Sequence, residues 1–287
     1  MNQIPVRQIR QALTEPALSG SFSIRDIGPL LKQDDMLQPL HRHEYYFILY
    51  LEKGKGEHII DFEKYAVRNG TVFIMRPGQV HQLLLKKGSR GFLLEFDIRF
   101  YAPKEESLKR FFRQALYKPC CQPAQTKLKV LSSILQQINN EYQLQEKGYP
   151  QMIRSGLDMF FISLARESRQ REPTREPGHD YYQEKLEELL SLLEKNLTKE
   201  KKVAVYAKMM HLSSFQLNHI TRSRLGKTCS TLIDDMIVLE AKRQLLATHQ
   251  RINQVAASLG YEDSSYFIRF FRKQTGYSPD LFRQKFK

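Results

Sequence analysis

Residues 252–286, INQVAASLGYEDSSYFIRFFRKQTGYSPDLFRQKF, restrict the fold of this chain more than any other stretch. Ile252, Val255, Ala256 and Leu259 recur at three- and four-residue spacing, which marks one face of a helix. Gly260 follows where a helix C-terminus favours a residue tolerant of positive φ. Ser264 or Asp263 can cap a second helix, because their side-chain oxygens accept its free backbone N–H groups. That helix turns Phe267, Phe270 and Phe271 inward and strings Ser265, Arg269 and Lys273 along its surface at i, i+4 and i+8. Gly276 and Pro279 end it. A short helix, a tight turn and a polar-to-basic second helix form the helix-turn-helix pattern.

The same segment closely resembles the C-terminal signature of the AraC/XylS transcription regulators. The matching positions are Ile252, Ala256, Leu259, Gly260, Tyr261, Tyr266, Phe267, Arg269, Phe271, Gly276, Ser278, Pro279 and Arg283. Scattered basic residues on a surface helix pair would explain the apolar spacing but not this whole pattern.

A second helix-turn-helix precedes the first. Val203, Ala207 and Met210 begin it, Leu212 crosses the turn, and Ser213 caps the helix SSFQLNHITRSRLG. Leu217 and Ile220 face inward, while Ser214, Phe215, Asn218, His219 and Arg222 face out. This copy departs from the family pattern: His211 stands where Gly is usual, and Thr221 where Phe is usual. Between the copies, CSTLIDDMIVLEAKRQLLATHQ is apolar almost all round and is expected to be a buried connecting helix. At about eighteen residues it would span about 27 Å. Such a spacer could set two recognition helices about 34 Å apart, one turn of B-DNA. Ahead of them, Leu186, Leu189, Leu190 and Leu193 stripe a leading helix.

Charge agrees with a polyanion partner. Residues 199–287 carry 16 Lys and Arg against 7 Asp and Glu, whereas the preceding residues carry 29 against 24. No run of eighteen apolar residues offers a transmembrane helix, and the N-terminus lacks the apolar core of a secretory signal. Cys120, Cys121 and Cys229 have no framework or metal spacing, so reduced thiols in a cytoplasm are expected.

The N-terminal half reads differently. Residues 22–28 suggest a first strand. Residues 43–101 then form short β-rich runs punctuated by Gly54, Gly56, Gly70, Gly78, Gly88 and Gly91, the pattern of a barrel or sandwich. LHRHE and PGQVH resemble the small barrel of the cupin superfamily, which in AraC-type regulators is the N-terminal sensor domain. His41 and His43 share a strand face, and His81 joins them as a candidate. Imidazoles can hold zinc or iron, but Glu44 falls on the opposite face and His58 shows no relation to the set. Metal ligation stays open beside hydrogen-bonding or pocket-lining roles. The pocket role is adopted here, with no metal or cofactor assigned. Tyr46, Ile48 and Tyr50 alternate along the same β-rich run, and His41, His43, Tyr46, Ile48, Tyr50 and His81 form the expected effector-binding set. Plain core is the competing reading of the aromatic alternation.

Helical character begins near Lys104. SLKRFFRQALY leads to a loop at Lys118–Gln125 holding both adjacent cysteines. Two amphipathic segments then follow, with Leu128, Leu131, Leu135, Ile138 and Tyr142 on one and Ile153, Leu157, Phe160, Phe161 and Leu164 on the other. The family resemblance implies a dimer contact for this hairpin; packing on the same chain's barrel is the alternative. Residues 167–180, charged and bearing Pro173, Pro177 and Gly178, read as a solvated linker.

The expected fold is therefore a multidomain α+β chain. A cupin-like β-barrel sensor spans residues 1–103, a helical hairpin or dimerisation segment 104–166, and a linker 167–180. An all-α domain with two helix-turn-helix motifs covers 181–287. The expected function is sequence-specific transcription regulation, as an activator controlled by a small-molecule effector, without enzymatic activity. Expected partners are double-stranded operator DNA, RNA polymerase and a second copy of the chain, with no membrane. DNA-binding candidates are Ser214, Phe215, Asn218, His219, Arg222, Ser264, Ser265, Tyr266, Arg269 and Lys273. Arg269 suits guanine and Asn218 adenine, His219 and Ser265 suit base edges, and Phe215 a thymine methyl. Arg222, Arg224, Lys227, Arg272 and Lys273 suit phosphate, as do the N-terminal N–H groups near Ser213 and Ser264. Two rival classes remain. One is a metal-dependent cupin enzyme with an accessory DNA-binding domain; the other is a non-specific architectural DNA binder.

Overall fold

A computed structural model describes residues 5–7, 9, 18, 20–170 and 179–286, with side chains omitted at 167–170 and 179–180. The chain divides into two compact units, Pro5–Pro173 and Thr174–Lys287.

The first unit is built on ten strands: β1 Val6–Arg7, β2 Phe22–Asp26, β3 Met36–His43, β4 Tyr46–Lys53, β5 Gly56–Ile60, β6 Glu63–Val67, β7 Thr71–Met75, β8 Val80–Leu85, β9 Arg90–Phe96 and β10 Cys120–Cys121. They form two five-stranded sheets, ordered β1-β3-β8-β5-β6 and β10-β7-β4-β9-β2. The barrel expectation holds, and a strand does begin at residue 22, but it is the second: β1 at Val6–Arg7 precedes it and pairs with β3. Three helices follow: α1 Glu106–Ala115, α2 Gln125–Leu144 and α3 Tyr149–Gln170.

Residues 46–51 of β4 form a continuous apolar run, and both faces of the strand are covered there. Phe47, Leu49 and Leu51 join Phe73, Met75, Leu83 and Leu85 in one core between the sheets. Ile48 and Tyr50 join Ile74, Leu94 and Phe96 in a second core with Leu131, Leu135, Ile138, Leu157, Phe160 and Phe161 of the helices. The Tyr50 hydroxyl donates to the Leu128 carbonyl at 3.0 Å, tying sheet to helix.

Three expectations change here. The helices do not stand apart from the barrel: the apolar stripes of α2 and α3 cover its second sheet, the packing left open as the alternative. The segment at 118–125 is not all loop. Cys120 and Cys121 pair with Phe73 and Val72 as an edge strand, so the barrel draws on chain beyond residue 103. The linker is shorter than 167–180. Helix α3 runs through Gln170 and the next helix starts at His179, while residues 171–178 lie outside the described residues.

The second unit holds seven helices among the described residues: α4 His179–Asn196, α5 Val203–Met209, α6 Ser214–Leu225, α7 Cys229–Ala247, α8 Ile252–Ser258, α9 Ser264–Thr275 and α10 Pro279–Phe286. Helices α5–α6 and α8–α9 are the two helix-turn-helix motifs. Helix α7 has 19 residues, about 28 Å at 1.5 Å each. It is not buried all round: Leu232, Ile233, Ile237, Ala241 and Leu245 are buried, while Ser230, Thr231 and Asp235 face solvent.

Candidate nucleic-acid interface and sensor site

Both turns are closed in the same way. The N–H of Leu212 donates to the Ala207 carbonyl, and that of Tyr261 to the Ala256 carbonyl, each at 2.9 Å. The residue before each bond is left-handed: Gly260 at φ 75° and His211 at φ 54°. A side chain is tolerated at His211 but not at Gly260, where a Cβ would lie 1.7 Å from the Thr198 carbonyl oxygen. Lys201 closes the second turn from the α4–α5 loop. Its Nζ donates to the Gly260 carbonyl at 3.0 Å and lies 4.7 Å from the Tyr261 ring centroid.

The capping of α6 follows expectation: Ser213 Oγ accepts from the Gln216 N–H, and Gln216 Oε1 accepts from the Ser213 N–H. For α9 the cap is Asp263, whose Oδ1 accepts the Ser265 N–H at 2.8 Å. The phosphate anchor expected near Ser264 is therefore reduced, since a carboxylate already occupies one N–H there and brings negative charge.

On α9, Ser265, Tyr266, Arg269 and Lys273 are exposed and Ser264 is half-exposed, while Phe267 and Phe271 are fully buried. On α6, Ser214, Phe215, His219 and Arg222 are exposed, and Leu217, Ile220 and Thr221 are buried. Phe215 is 81% exposed, an apolar ring displayed at the start of a recognition helix. Thr221 is buried where a larger residue was expected, and its hydroxyl donates to the Asn218 carbonyl at 3.2 Å.

Asn218 does not stand ready for adenine. Its Oδ1 accepts the Cys229 N–H and its Nδ2 donates to the Ser214 carbonyl, both at 3.0 Å. Two of the expected phosphate contacts are also occupied: Arg224 donates to Gln183 Oε1 at 2.9 Å, and Lys227 pairs with Asp235 at 2.6 Å. Among the described residues, Arg222, Arg269, Arg272 and Lys273 form no ion pair. Arg283, a family-matching position without an assigned role, donates Nε to the Leu245 carbonyl at 3.0 Å and a terminal nitrogen to the Gln250 carbonyl at 2.7 Å.

In the barrel, His41 and His43 on β3, His81 on β8 and His58 on β5 project from three neighbouring strands of one sheet. All four are buried. His41 pairs directly with His81 in register. His43 Nε2 lies 2.7 Å from His81 Nε2, His81 Nε2 lies 2.9 Å from His41 Nε2, and His58 Nε2 lies 2.8 Å from His81 Nδ1. His58 thus belongs to the set, contrary to expectation. The signal was the alternation of GEHII, which buries His58 and Ile60 together. Burial is the main cause that lowers all four imidazoles: His41 falls to about 4, His58 to about 3, His43 to about 2, and His81 is lowered as well. All four are neutral at pH 7.

Tyr46, Ile48 and Tyr50 are not part of this face. As even-numbered positions they alternate away from His41 and His43, and they lie on β4, which belongs to the other sheet beyond the break at Glu44 and Tyr45. The rings that meet His43 are Tyr45, at 4.4 Å between centroids, and Phe47, stacked at 5.3 Å. The Tyr45 hydroxyl donates to the buried Glu95 at 3.0 Å, and Arg25 pairs with the same carboxylate at 3.2 Å. Elsewhere on this unit, an open cleft of about 840 Å³ is lined by Lys53, Lys55, Arg68 and Lys87, a feature the sequence did not suggest.

Comparison with known proteins assigns both units. The profile of the AraC-like ligand binding domain matches residues 32–151, and that of a helix-turn-helix domain matches residues 206–285. The activator RhaS of Pectobacterium carotovorum subsp. carotovorum is 24% identical over 260 residues, covering 86% of this chain and 88% of its own. The activator RhaR of Mannheimia succiniciproducens is 24% identical over 275 residues, covering 93% and 95%. The structure of unsaturated-fatty-acid-bound ToxT from Vibrio cholerae aligns over 96% of this chain and 97% of its own, at 16% identity and a TM-score of 0.41.

Proposed function

The chain belongs to the AraC-type family of transcription regulators, and from that premise we propose a sequence-specific, effector-controlled transcriptional activator that reads operator DNA with α6 and α9. One observation carries this reading. Each recognition helix buries one face and leaves a polar, aromatic and basic set exposed on the other; within it His219 meets the Tyr182 ring at 5.3 Å and Tyr266 the Tyr261 ring at 5.9 Å, while Arg222, Arg269 and Lys273 form no ion pair among the described residues. Ser214, Phe215, His219 and Arg222 form one set; Ser264, Ser265, Tyr266, Arg269 and Lys273 form the other. Asn218 contributes by positioning α6 rather than by touching a base. Arg269, with its planar fork, suits guanine O6 and N7.

The small-molecule effector is placed inside the barrel, at the face bearing His41, His43 and His81. To shift the regulator, it must bind one arrangement of the protein better than another. The homodimer uses the outward face of the hairpin, where Val130, Met152 and Met159 are exposed beside the stripes that cover the barrel. Activation proceeds by recruitment of RNA polymerase in the cytoplasm, with no catalytic step in the chain. None of the described helices is long and apolar enough to cross a membrane.

Selection of genomic fragments by the purified full chain, with affinity followed against salt, tests the proposal. Recovery of one motif with two segments about 34 Å apart is expected. Binding without motif, falling steeply with salt, would reduce the contacts to phosphate alone and overturn it.

A further inference from the structure

We propose that the open cleft lined by Lys53, Lys55, Arg68 and Lys87 binds a small phosphorylated molecule carrying at least two negative charges. None of the barrel histidines lines it, so it is a second site, distinct from the effector face, and it does not depend on DNA reading.

Three turns and the start of a helix meet at the cleft. Lys53 and Lys55 flank the turn from β4 to β5, Arg68 opens the turn from β6 to β7, and Lys87 lies in the turn from β8 to β9. Each of these turns carries the chain from one sheet to the other, which gathers all three at one end of the barrel. The turns are bonded to one another. The Gly54 N–H donates to Asn69 Oδ1 at 2.9 Å, and the Lys86 N–H donates to the Lys55 carbonyl at 2.8 Å. Cations mounted on a frame held in this way are brought together before any ligand arrives, which lowers the cost of binding.

Charge sets the class of ligand. No aspartate or glutamate lines the cleft, and its four cations are exposed and form no ion pair among the described residues. Beside Lys87, the Asp35 carboxylate is engaged by Lys86 Nζ at 2.7 Å and by the Lys87 backbone N–H at 2.9 Å. Helix α2 adds to the positive field. Its first residue, Gln125, is on the cleft wall, its N-cap Ala124 supplies no side-chain cap, and its first turn holds no acidic residue. A lone carboxylate would offset one charge of four. A phosphate ester carries about −1.5 to −2 at pH 7 and three strong acceptor oxygens. The planar fork of Arg68 suits two such oxygens, and the lysines act on them as point charges.

Size and lining select a small molecule. The volume of about 840 Å³ falls within the roughly 300–1,000 Å³ of small-molecule sites. Val67, Pro123 and Leu128 provide an apolar floor for a carbon skeleton. Asn69, whose Oδ1 is taken by Gly54, keeps its Nδ2 for a ligand oxygen.

The test titrates the full chain with inorganic pyrophosphate and with fructose 1,6-bisphosphate by calorimetry. Salt is held at about 0.15 M, where the Debye length is about 8 Å and scattered surface charge is screened. We expect one molecule per chain for at least one probe, a dissociation constant below about 1 mM, and a higher melting temperature with that probe. Lys55→Ala and Arg68→Ala should each weaken binding about tenfold, as when one charge-assisted contact is lost. Lys147→Ala, in the exposed turn between α2 and α3, and Arg269→Ala, in the other unit, should leave it unchanged. Circular dichroism checks that each variant folds. Absence of uptake of both probes overturns the site. So does an equal loss in Lys147→Ala, the mark of bulk charge, or a loss in Arg269→Ala without one in Arg68→Ala. If Lys55→Ala and Arg68→Ala weaken binding of a random-sequence duplex and spare both probes, the cleft is a nucleic-acid surface and the proposal fails. Failure of the regulator reading would show separately, in the fragment selection.

Discussion

Asn218 Oδ1 accepts the backbone N–H of Cys229 at 3.0 Å, joining the middle of the first recognition helix to the first turn of α7. The N–H groups of a helix's first turn lack partners within the helix, so this amide does the work of a cap. The same side chain donates to the Ser214 carbonyl. Asn218→Ala should therefore cost about 1 kcal/mol, within the range for losing a capping side chain. Denaturant unfolding measures the loss. DNA affinity should weaken alike for all sequences. Unchanged stability with preference relaxed at a single A·T pair would return Asn218 to base reading.

Arg269 and Lys273 lie one helical turn apart on the exposed face of α9 and should separate in their effects. Arg269→Ala should cost about 1–3 kcal/mol on the best site and relax preference at one position. Lys273→Ala should weaken every duplex alike and lower the salt slope by about 1. A binding series over singly substituted duplexes at several salt concentrations distinguishes them. The pair would lose its assigned roles if both variants behaved like Lys273→Ala.

His211 holds φ at 54° in the first turn, where Gly260 holds 75° in the second. A non-glycine residue in this region stores roughly 1 kcal/mol or more of strain. Glycine there would relieve the strain but loses more backbone entropy on folding, by roughly 0.5–1 kcal/mol. His211→Gly should therefore be neutral or stabilising by up to about 1 kcal/mol. Gly260→Ala should be severely destabilising, because its Cβ meets the Thr198 carbonyl. Thermal melts of the two variants check the asymmetry. Similar losses from both substitutions would contradict it.

Much of the DNA-binding unit was legible because helical periodicity and caps are local signals. Phe267, Phe271, Leu217 and Ile220 are buried as their spacing demands. What stayed hidden depends on contacts distant in sequence. Nothing near Asn218 announces that its partner lies eleven residues on, and nothing near Arg224 announces Gln183. In the barrel, strand alternation by itself pairs odd-numbered Tyr45 and Phe47 with His41 and His43 and turns even-numbered Tyr46, Ile48 and Tyr50 to the helix-covered face, so the expected aromatic set was taken from the wrong face. What the sequence did not show is that the chain changes sheet at Glu44 and Tyr45. His58 was missed because its strand neighbour in space, β8, is two strands later in the chain than β6.

Arg283 illustrates a family-matching residue whose role only the fold reveals. The last carbonyls of a helix have no partner within it, and α7 ends at Ala247 beside the turn into α8. The guanidinium of Arg283 on α10 reaches Leu245 of α7 at 3.0 Å and Gln250 of that turn at 2.7 Å, so one side chain holds three elements in register. Hydrogen bonds from charged donors are worth about 1.5–3 kcal/mol, and Arg283→Ala should destabilise the unit by an amount in that range. Arg283→Lys should recover only part of it, because an ammonium lacks the planar fork that serves two carbonyls. Denaturant unfolding gives the losses, and DNA binding well below the melting temperature gives the discriminating readout. A residue that only orders the scaffold should leave the salt slope of binding unchanged. A slope lowered by about 1, with stability intact, would instead make Arg283 a phosphate contact.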